Sequence, residues 1–465
     1  MPYMPITESM FLLAENREQP MHAGGLQLFI PREGQSATDL ATEIFETFHS
    51  CPEIRPLFRK RPASPASLVG TLAWSFDDDI DVDYHVRRAA LPRPGRIREL
   101  LRYVSLNHSA LLDRNRPMWE LHIIEGLDDG RVAVYTKIHH SLLDGVSALR
   151  LLENSLSPDP DDRSGTAWWD PALMRRRRNP RAPKSVSALE RITGTAGQTL
   201  GAVGQVVGAP AAAAKIAWTA ITDDDFAAPF VPAPKTILDV PIGSARRFAA
   251  QQWPRDRFDA IGNSLGITLN DVVVATCAGA LRAYLIDQDA LPDRPLIAAL
   301  PVSMHGDSGR EGNAVTAIMA NLATDQPDPE RRLDAVVAST RKAKQVIRGL
   351  PTLQALMFGA ATFAPLALAP VPGFVRTTPP QFNLLISNVP GPSQPMYWNG
   401  ARLDGCYPVS IAMHGQAMNI TLTTTGDQVN FGIIGARKEL PSLQRILTHL
   451  DSALEDLEKV AGVGG

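Results

Sequence analysis

The sequence predicts an α/β protein built from two domains. At 465 residues, the chain is longer than a single hydrophobic core usually supports. Strand-like alternation and helical spacing of apolar residues occur before residue 155 and again after about residue 236. Residues 155–190, rich in Pro, Asp, Ser and Arg, have the composition of a linker. We therefore expect an N-terminal domain over residues 1–155, a linker over 156–235 and a C-terminal domain over 236–465.

The composition favours a soluble globular protein that does not bind nucleic acid. The formal net charge is −3, with 44% hydrophobic and 20% charged residues, so no excess of basic residues is available for a phosphate backbone. The three cysteines, Cys51, Cys277 and Cys406, form no CxxC pair, which argues for a reducing compartment without a disulfide framework or zinc site. The N-terminal residues do not resemble a secretory signal. A cytoplasmic location is expected.

Residues 120–140 predict a β-hairpin that ends in two histidines. Asp128, Asp129 and Gly130 mark the turn, because Asp-Gly between alternating apolar residues is a hairpin signal. Strand alternation places His139 and His140 on opposite faces. One face carries Val132, Val134, Thr136, Ile138 and His140, and the other carries Ala133, Tyr135, Lys137 and His139. His140 therefore ends the more apolar row.

A helix is predicted directly after the histidines. The apolar residues at helical spacing are Val146, Leu149, Leu152 and Leu156. The pattern HHxxxDG, residues 139–145, thus occupies a strand-to-helix connection, where a side chain can project into a cleft.

His140 is a candidate general base, since a neutral imidazole accepts a proton from an alcohol at cytoplasmic pH. Asp144 is expected to brace the loop through backbone amides or a distant arginine. Gly145 is expected to permit a backbone conformation closed to other residues. The alternative is purely structural, with Asp144 as a helix N-cap and His140 as a strand-end residue.

The predicted linker contains two unusual stretches. Residues 175–184 hold six basic residues and no acid, which suits either a solvated linker or contact with anionic lipid headgroups. A Gly/Ala-rich stretch near residue 200 is predicted to be helical.

A second motif, Gly-Asn-Ser-Leu-Gly at 262–266, matches the GxSxG nucleophile elbow of serine hydrolases. An elbow requires a strand before Ser264 and a helix after it. The surrounding apolar residues have helical spacing instead, and Gly266 suits a helix C-cap. A hydrolase using Ser264 is therefore the weaker alternative.

Residues 268–271, Thr-Leu-Asn-Asp, predict the start of a helix. Thr268 is placed to cap the helix and Asp271 to reach back to it. A structural role is favoured over direct chemistry for Asn270 and Asp271.

Residues 349–375 contain no charged residue and are long enough to cross a bilayer. Pro351, Pro365, Pro370 and Pro372 would interrupt a spanning helix. A buried helix and loop is favoured, with an apolar surface or tunnel in contact with lipid as the alternative.

The pattern HHxxxDG resembles the signature of the CoA-dependent acyltransferase superfamily. Further stretches resemble the bacterial wax ester synthase/diacylglycerol acyltransferase family and together span nearly the whole chain. They are TESMFLLAENREQPMHAGGLQLF, RNRPMWELHIIEGL, TLNDVVVATCAGALRAYL, SNVPGP and YPVSIAMHGQAMNITLTTTGDQVNFGIIG. Glu8 departs from the aspartate expected in the first of them.

This resemblance implies two domains similar to chloramphenicol acetyltransferase, each a mixed sheet flanked by helices, with a tunnel at their interface. His140 would deprotonate an acceptor hydroxyl, which attacks the thioester of acyl-CoA directly. His139 would support it, and Asp144 and Gly145 would shape the loop. Ser387 or Asn388, in the strand before the Pro-Gly-Pro turn, would bond the oxyanion.

The resemblance further implies that acyl-CoA is a co-substrate and that no cofactor or metal is bound. The acceptor would be diacylglycerol, a long-chain alcohol or both, reached from the inner membrane or from lipid droplets. A non-catalytic lipid-surface protein of the same fold is an alternative, and a peptide-synthetase condensation domain is disfavoured.

Overall fold

Two six-stranded sheets organise the computed structural model, which describes residues 4–64, 72–176, 231–304 and 314–463. Residues 177–184 of the basic run and the Gly/Ala-rich stretch near residue 200 lie outside these ranges. The strands are β1 His22–Ile30, β2 Lys60–Pro62, β3 Trp74–Phe76, β4 Val86–Ala90, β5 Trp119–Glu125, β6 Val132–His139, β7 Arg246–Pro254, β8 Ile297–Met304, β9 Ala314–Asn321, β10 Leu384–Val389, β11 Tyr397–Trp398, β12 Ala401–Val409, β13 Met418–Thr425 and β14 Gln428–Ala436.

Helices cover the sheets and connect many of their strands. The α-helices are α1 Ile6–Ala14, α2 Ala37–His49, α3 Val82–His85, α4 Ile97–Ser109, α5 Gly145–Asn154, α6 Pro171–Arg176, α7 Arg255–Leu265, α8 Leu269–Asp287, α9 Pro329–Arg348, α10 Thr352–Phe363, α11 Phe374–Thr377 and α12 Arg445–Ala461, with 3-10 turns at Pro56–Arg59 and Ala364–Leu368.

The first sheet has the order β11-β12-β1-β6-β5-β4, antiparallel except between β5 and β4. The second has the order β7-β14-β13-β10-β8-β9, with parallel pairs on both sides of β10. Both sheets are mixed and flanked by helices, so the predicted α/β fold with two such sheets is confirmed.

The first sheet does not stop at the predicted domain boundary. Strands β11 and β12 come from the C-terminal half of the chain, and β12 pairs along β1. The assignment of residues 236–465 to one contiguous C-terminal domain is therefore wrong for 397–409. Strand partners nearly 400 residues apart cannot be paired from local sequence patterns, which report only on the neighbourhood of each residue.

The predicted hairpin forms, and its strand β6 is buried on both faces. Gly130 supplies the positive φ of the turn, at 78°. Val132, Val134 and Ile138 pack into the core that contains α2, whereas Ala133 and Tyr135 pack into the core that the first sheet shares with the second. The predicted alternation of the strand is thus confirmed.

Helix α4 joins the two halves of the protein. Its Leu100 and Val104 lie in the shared core. Its Ser105 and Ser109 hydroxyls accept hydrogen bonds from Phe248 N–H and Arg246 N–H, at 2.9 and 2.8 Å. Because β7 is an edge strand, these hydroxyls satisfy amides that no other strand pairs.

The sheets also approach each other directly, where β12 crosses the second sheet. A Cβ added to Gly432 would lie 1.9 Å from Pro408 O, so only glycine fits there. Tyr407 donates a hydrogen bond from its hydroxyl to Gln252 Oε1 at 2.9 Å, and Thr423 donates to Cys406 O at 2.9 Å. The two halves therefore share one packed interior.

The predicted capping box at the start of α8 is confirmed. Thr268 accepts a hydrogen bond from Asp271 N–H, and Asp271 accepts one in return from Thr268 N–H. Asp271 also accepts from Thr340 Oγ1 at 3.0 Å and lies 3.3 Å from Lys344 Nζ. Among the described residues, α8 alone is long and apolar enough to cross a membrane, and it lies largely inside the core.

The uncharged segment 349–375 does not form a single helix. It contains α10, the 3-10 turn Ala364–Leu368 and the start of α11. Ala355 is buried, whereas Met357, Leu368 and Val371 are 42%, 51% and 52% exposed. The segment thus combines buried positions with an apolar surface.

Candidate active site

His140 lies at the end of β6, one residue beyond the last strand residue. Its backbone N–H donates to Met21 O at 2.9 Å, which continues the pairing of His22 with His139. The ring of Phe11 stacks on the imidazole with centroids 4.4 Å apart and planes 25° apart. The side chain is partly buried, and its Nδ1 is inaccessible, with no hydrogen-bond partner of normal geometry among the described residues.

The surroundings of His140 favour the neutral imidazole. Burial lowers the pKa of His140 from its ordinary value of 6.5, and the neighbouring His139 adds to the effect. The Asp144 carboxylate opposes this shift but does not cancel it. At neutral pH the ring therefore holds one proton and can accept another.

His139 is fully buried and held in one orientation. The Ser141 N–H donates to His139 Nδ1 at 3.2 Å, and Ser141 Oγ lies 2.7 Å from the same atom. Because a backbone amide can only donate, Nδ1 is the acceptor, so the proton of the neutral ring is assigned to Nε2. Nε2 lies 3.4 Å from Glu15 Oε1.

Glu15, at the end of α1, is a site residue that the sequence patterns did not single out. Oε1 accepts from Met21 N–H at 3.0 Å, and Oε2 accepts from Arg114 Nε and Nη2 at 3.1 and 2.9 Å. Burial alone would raise the pKa of this carboxyl, but the contacts with His139, Met21 and Arg114 outweigh it and lower the pKa. The carboxylate is therefore ionised and fixes His139.

The acid noted in the sequence, Glu8, lies elsewhere. It accepts a hydrogen bond from Trp74 Nε1 at 2.8 Å. Seven residues, about two helix turns, separate it from Glu15 along the chain, and no local pattern distinguishes the two acids. Only the tertiary contact with His139 reveals which of them belongs to the site.

A stripe of polar side chains continues from His139 across the same face of the sheet. Lys137 is buried and donates from Nζ to Asn107 O at 2.9 Å and to Ala110 O at 2.6 Å. Burial lowers the pKa of Lys137 to about 8. Its Nζ lies 3.8 Å from Glu120 Oε2, which is 3.2 Å from His122 Nε2. Alternation placed Lys137 beside His139, but its burial was not predicted.

Asp144 is the N-cap of α5. It accepts from Ser147 N–H at 2.7 Å and from Ser147 Oγ at 3.0 Å, and its side chain is exposed. The expected bracing through a backbone amide is present, whereas no arginine pairs with Asp144 within the ranges that the structure describes. Its carboxylate acts on His140 through charge rather than through a hydrogen bond.

The expectation for Gly145 is wrong. Its φ is not in the left-handed region, and an added Cβ would meet nothing within 4 Å. As the first residue of α5, it has ordinary helical geometry, which any L-residue can adopt.

Two distant motifs meet at the boundary between the halves of the protein. Asn388 Nδ2 lies 3.5 Å from Asn270 Oδ1, which joins the start of α8 to β10. The Pro-Gly-Pro turn that follows β10 lies close to α5. A Cβ built on its Gly391 would be 3.5 Å from Glu153 Oε1. Ser387 and Asn388 are half-buried, and neither forms a hydrogen bond with His140 among the described residues. The predicted tunnel also stays a prediction.

Ser264 does not form a nucleophile elbow. It lies near the end of helix α7, and its hydroxyl donates to Ala461 O at 2.8 Å. Gly266 ends the helix with a φ of 65°, as predicted. A serine in a helix and bonded to a carbonyl lacks the strand-turn-helix geometry that exposes a nucleophile.

Two family models match the chain. One describes the "wax ester synthase/diacylglycerol acyltransferase catalytic domain" and matches residues 4–273, and the other describes the "WS/DGAT C-terminal domain" and matches residues 311–458. Among relatives, the "O-acyltransferase WSD" of Acinetobacter baylyi is 41% identical over 468 residues, 99% of this chain and 97% of that protein. The Mycobacterium tuberculosis protein named "Probable diacyglycerol O-acyltransferase tgs2" is 47% identical over 466 residues, all of both chains.

Solved structures agree with these matches. The wax ester synthase/diacylglycerol acyltransferase from Marinobacter aquaeolei VT8 superposes with a TM-score of 0.78 at 40% identity, over 99% of this chain and 100% of that chain. The first condensation domain of the CDA synthetase superposes with a TM-score of 0.52 at 14% identity, over 99% and 97% of the two chains. The second likeness concerns the fold alone.

The geometry at Gly145 leads to a test of stability. We expect Gly145→Ala to leave the free energy of unfolding unchanged or to raise it by up to about 1 kcal/mol, because alanine is the better helix former and meets no neighbour. Chemical denaturation measures this directly. The control is Gly432→Ala, which meets the Pro408 carbonyl and is expected to destabilise the protein. Equal destabilisation by both substitutions would contradict the description of Gly145.

Proposed function

Because this chain belongs to the wax ester synthase/diacylglycerol acyltransferase family, we propose that its His140 is the general base of a direct acyl transfer from acyl-CoA to the hydroxyl of a lipid. The chain is an O-acyltransferase, as its full-length relatives are. The observation that carries the proposal is a neutral, partly accessible imidazole beside a buried, fixed second histidine.

The reaction begins when His140 accepts the proton of the acceptor hydroxyl. The alcohol oxygen attacks the thioester carbonyl carbon and forms a tetrahedral oxyanion. Collapse of this intermediate breaks the carbon–sulfur bond, and the imidazolium returns its proton to the CoA sulfur. The products are the ester and free CoA, and no acyl-enzyme or bound cofactor takes part.

Nε2 is the ring atom that we assign to proton transfer. Nδ1 of His140 is enclosed by protein, so a substrate hydroxyl cannot reach it. Phe11 covers one face of the ring. We therefore expect the Nε2 edge to face the substrate, since a base presented in the ring plane suits proton transfer from a hydroxyl.

His139 acts as a positioning residue in this proposal. It is fully buried, with Nδ1 hydrogen-bonded to Ser141 and Nε2 lying 3.4 Å from Glu15 Oε1, so a substrate does not reach it. Ser387 or Asn388 remains our candidate for the hydrogen bond to the oxyanion, because both lie on the strand that enters the boundary between the halves.

We predict that His140→Ala folds but loses at least about a hundredfold in kcat/KM, the usual contribution of a general base. The assay is release of CoA thiol from palmitoyl-CoA with hexadecanol as the acceptor. His139→Ala is the control and is expected to reduce kcat/KM less, because that ring positions the loop. Near wild-type thiol release by His140→Ala, in a variant shown to be folded by its melting transition, would refute the assignment.

The acidic limb of the pH profile, where kcat/KM falls at low pH, tests whether the Asp144 carboxylate raises the pKa of His140. The base acts when deprotonated, so kcat/KM falls as pH drops through the pKa of His140, which lies below 6.5. Asp144→Asn removes the charge that raises this pKa but keeps a good N-cap, so the limb should move to lower pH. A limb that stays in place or moves to higher pH would exclude this influence of Asp144.

We propose that the acceptor is diacylglycerol, with wax ester synthesis from long-chain alcohols alongside it. Each methylene transferred from water into an apolar site contributes about 0.8 kcal/mol, so chain length is the natural selector. We expect kcat/KM to be far lower for butanol than for hexadecanol or dipalmitoylglycerol. A higher kcat/KM for butanol would contradict an apolar acceptor site. A kcat/KM for hexadecanol far above that for dipalmitoylglycerol would reverse the proposed order of acceptors.

We further propose that the enzyme is cytoplasmic and binds the inner membrane or lipid droplets peripherally. The exposed apolar residues of segment 349–375 and the basic run 175–184 support contact with lipid. Alkaline carbonate or high salt is therefore expected to release the enzyme from membrane fractions. Extraction by detergent alone would show that a segment spans the bilayer.

A further inference from the structure

His140 lacks the hydrogen bond that usually orients a catalytic histidine. In catalytic triads, a carboxylate bonded to one ring nitrogen holds the imidazole in place. Here Nδ1 of His140 is buried and has no hydrogen-bond partner of normal geometry among the described residues. Asp144 does not take this role, because its two oxygens accept from Ser147 N–H and Ser147 Oγ. The orientation of the ring must therefore be set by packing.

Phe11 provides that packing. Its ring stacks on the imidazole of His140 with centroids 4.4 Å apart and planes 25° apart. The torsion about the Cβ–Cγ bond of a histidine has only broad preferences, so a ring without a hydrogen bond can turn about that bond. Turning the imidazole out of the stack would push one of its edges into the face of Phe11. The contact therefore restricts His140 to one plane.

Helix α1 is anchored on both sides of Phe11. Before it, Glu8 accepts a hydrogen bond from Trp74 Nε1 at 2.8 Å. After it, the carbonyl oxygen of Leu12 accepts from Arg114 Nη2 at 2.8 Å. Because both anchors are side chains from other parts of the N-terminal half, the helix has little freedom to lift the phenyl ring away from the imidazole.

Phe11 does not serve the hydrophobic core. It is half-buried and, among the described residues, belongs to none of the buried apolar clusters. The next residue, Leu12, is 1% exposed and packs in the core that contains α2, whereas Met10 and Leu13 are 47% and 52% exposed. The aromatic ring at position 11 is therefore explained by its contact with His140 rather than by the stability of the fold.

We infer that Phe11 is a positioning residue that acts through His140, by holding the imidazole in the plane required for proton transfer and by covering one face of the ring. The inference rests on the proposed function, because the plane of the ring affects kcat/KM only if His140 is the base. A flat aromatic face is what the contact requires, so an aliphatic side chain would cover the imidazole without fixing its plane.

A double-mutant cycle tests whether Phe11 acts through His140. We expect Phe11→Ala to lower kcat/KM about tenfold in the otherwise unchanged protein, the upper range for loss of an aromatic pair. In the His140→Ala background, the same substitution should cost less than about twofold, because the ring that Phe11 positions is already missing. The assay is CoA thiol release from palmitoyl-CoA with hexadecanol.

Similar losses in both backgrounds would overturn the inference, since Phe11 would then support the fold or a substrate instead of the imidazole. A failure of the proposed function is seen separately, as near wild-type activity of His140→Ala alone. Leu13→Ala is the matched control for a weakened α1, because Leu13 lies on the same helix and is exposed. We expect it to change kcat/KM less than about twofold.

Phe11→Tyr and Phe11→Leu separate the flat ring from simple apolar cover. Both keep a large apolar side chain, but only tyrosine keeps the aromatic face. We expect Phe11→Tyr to retain kcat/KM within about threefold and Phe11→Leu to lose about fivefold or more. Equal activities of these two variants would overturn the role of the ring plane. The pair decides the question even if Phe11→Ala does not fold.

Nitrogen NMR of ¹⁵N-histidine-labelled protein gives a readout that needs no turnover. Burial lowers the pKa of His140, so uncovering one face of the ring in Phe11→Ala should move its titration to higher pH, towards the ordinary value of 6.5. Leu13→Ala should leave the titration in place. An unchanged His140 titration in Phe11→Ala would contradict the covering role of Phe11.

Discussion

The buried carboxylate of Glu15 holds together the parts of the chain that form the active site. It accepts the amide of Met21 at the start of the first strand, pairs with Arg114 and lies against His139 at the end of β6. Met21 in turn accepts the amide of His140. An ionised group this deep is stable only when its partners satisfy it, so the end of α1, the start of β1 and the end of β6 are constrained together.

The two adjacent histidines differ because the strand sends them to opposite faces. His139 enters a polar interior, with the Glu15 carboxylate 3.4 Å from Nε2 on one side and Ser141 hydrogen-bonded to Nδ1 on the other. His140 faces Phe11 and has an enclosed nitrogen without a partner. The His139 ring is therefore suited to holding the loop, and the neutral His140 ring keeps a nitrogen able to accept a proton at neutral pH. The carboxylate of Asp144 limits how far the pKa of His140 falls, while it also starts α5.

Sequence patterns predicted correctly those features of the structure that depend on residues close together in the chain. The hairpin, the faces of β6, the capping box at Thr268 and the helix around Ser264 all depend on residues a few positions apart. The pairing of β12 with β1, the role of Glu15 and the stacking of Phe11 on His140 depend on contacts between distant segments, and no periodicity records them. Gly145 shows the reverse, because its place in the motif predicts an unusual backbone and the structure has ordinary helical geometry there.

The protonation state of His140 tests the central claim most directly. Nitrogen NMR of the protein labelled with ¹⁵N-histidine, with the His140 signals assigned by their absence from His140→Ala, follows each ring through a pH titration. The proposed mechanism requires a neutral His140 at pH 7 that titrates below its ordinary value of 6.5. A His140 ring that carries two protons at pH 7, or titrates above 6.5, would contradict its assignment as the general base.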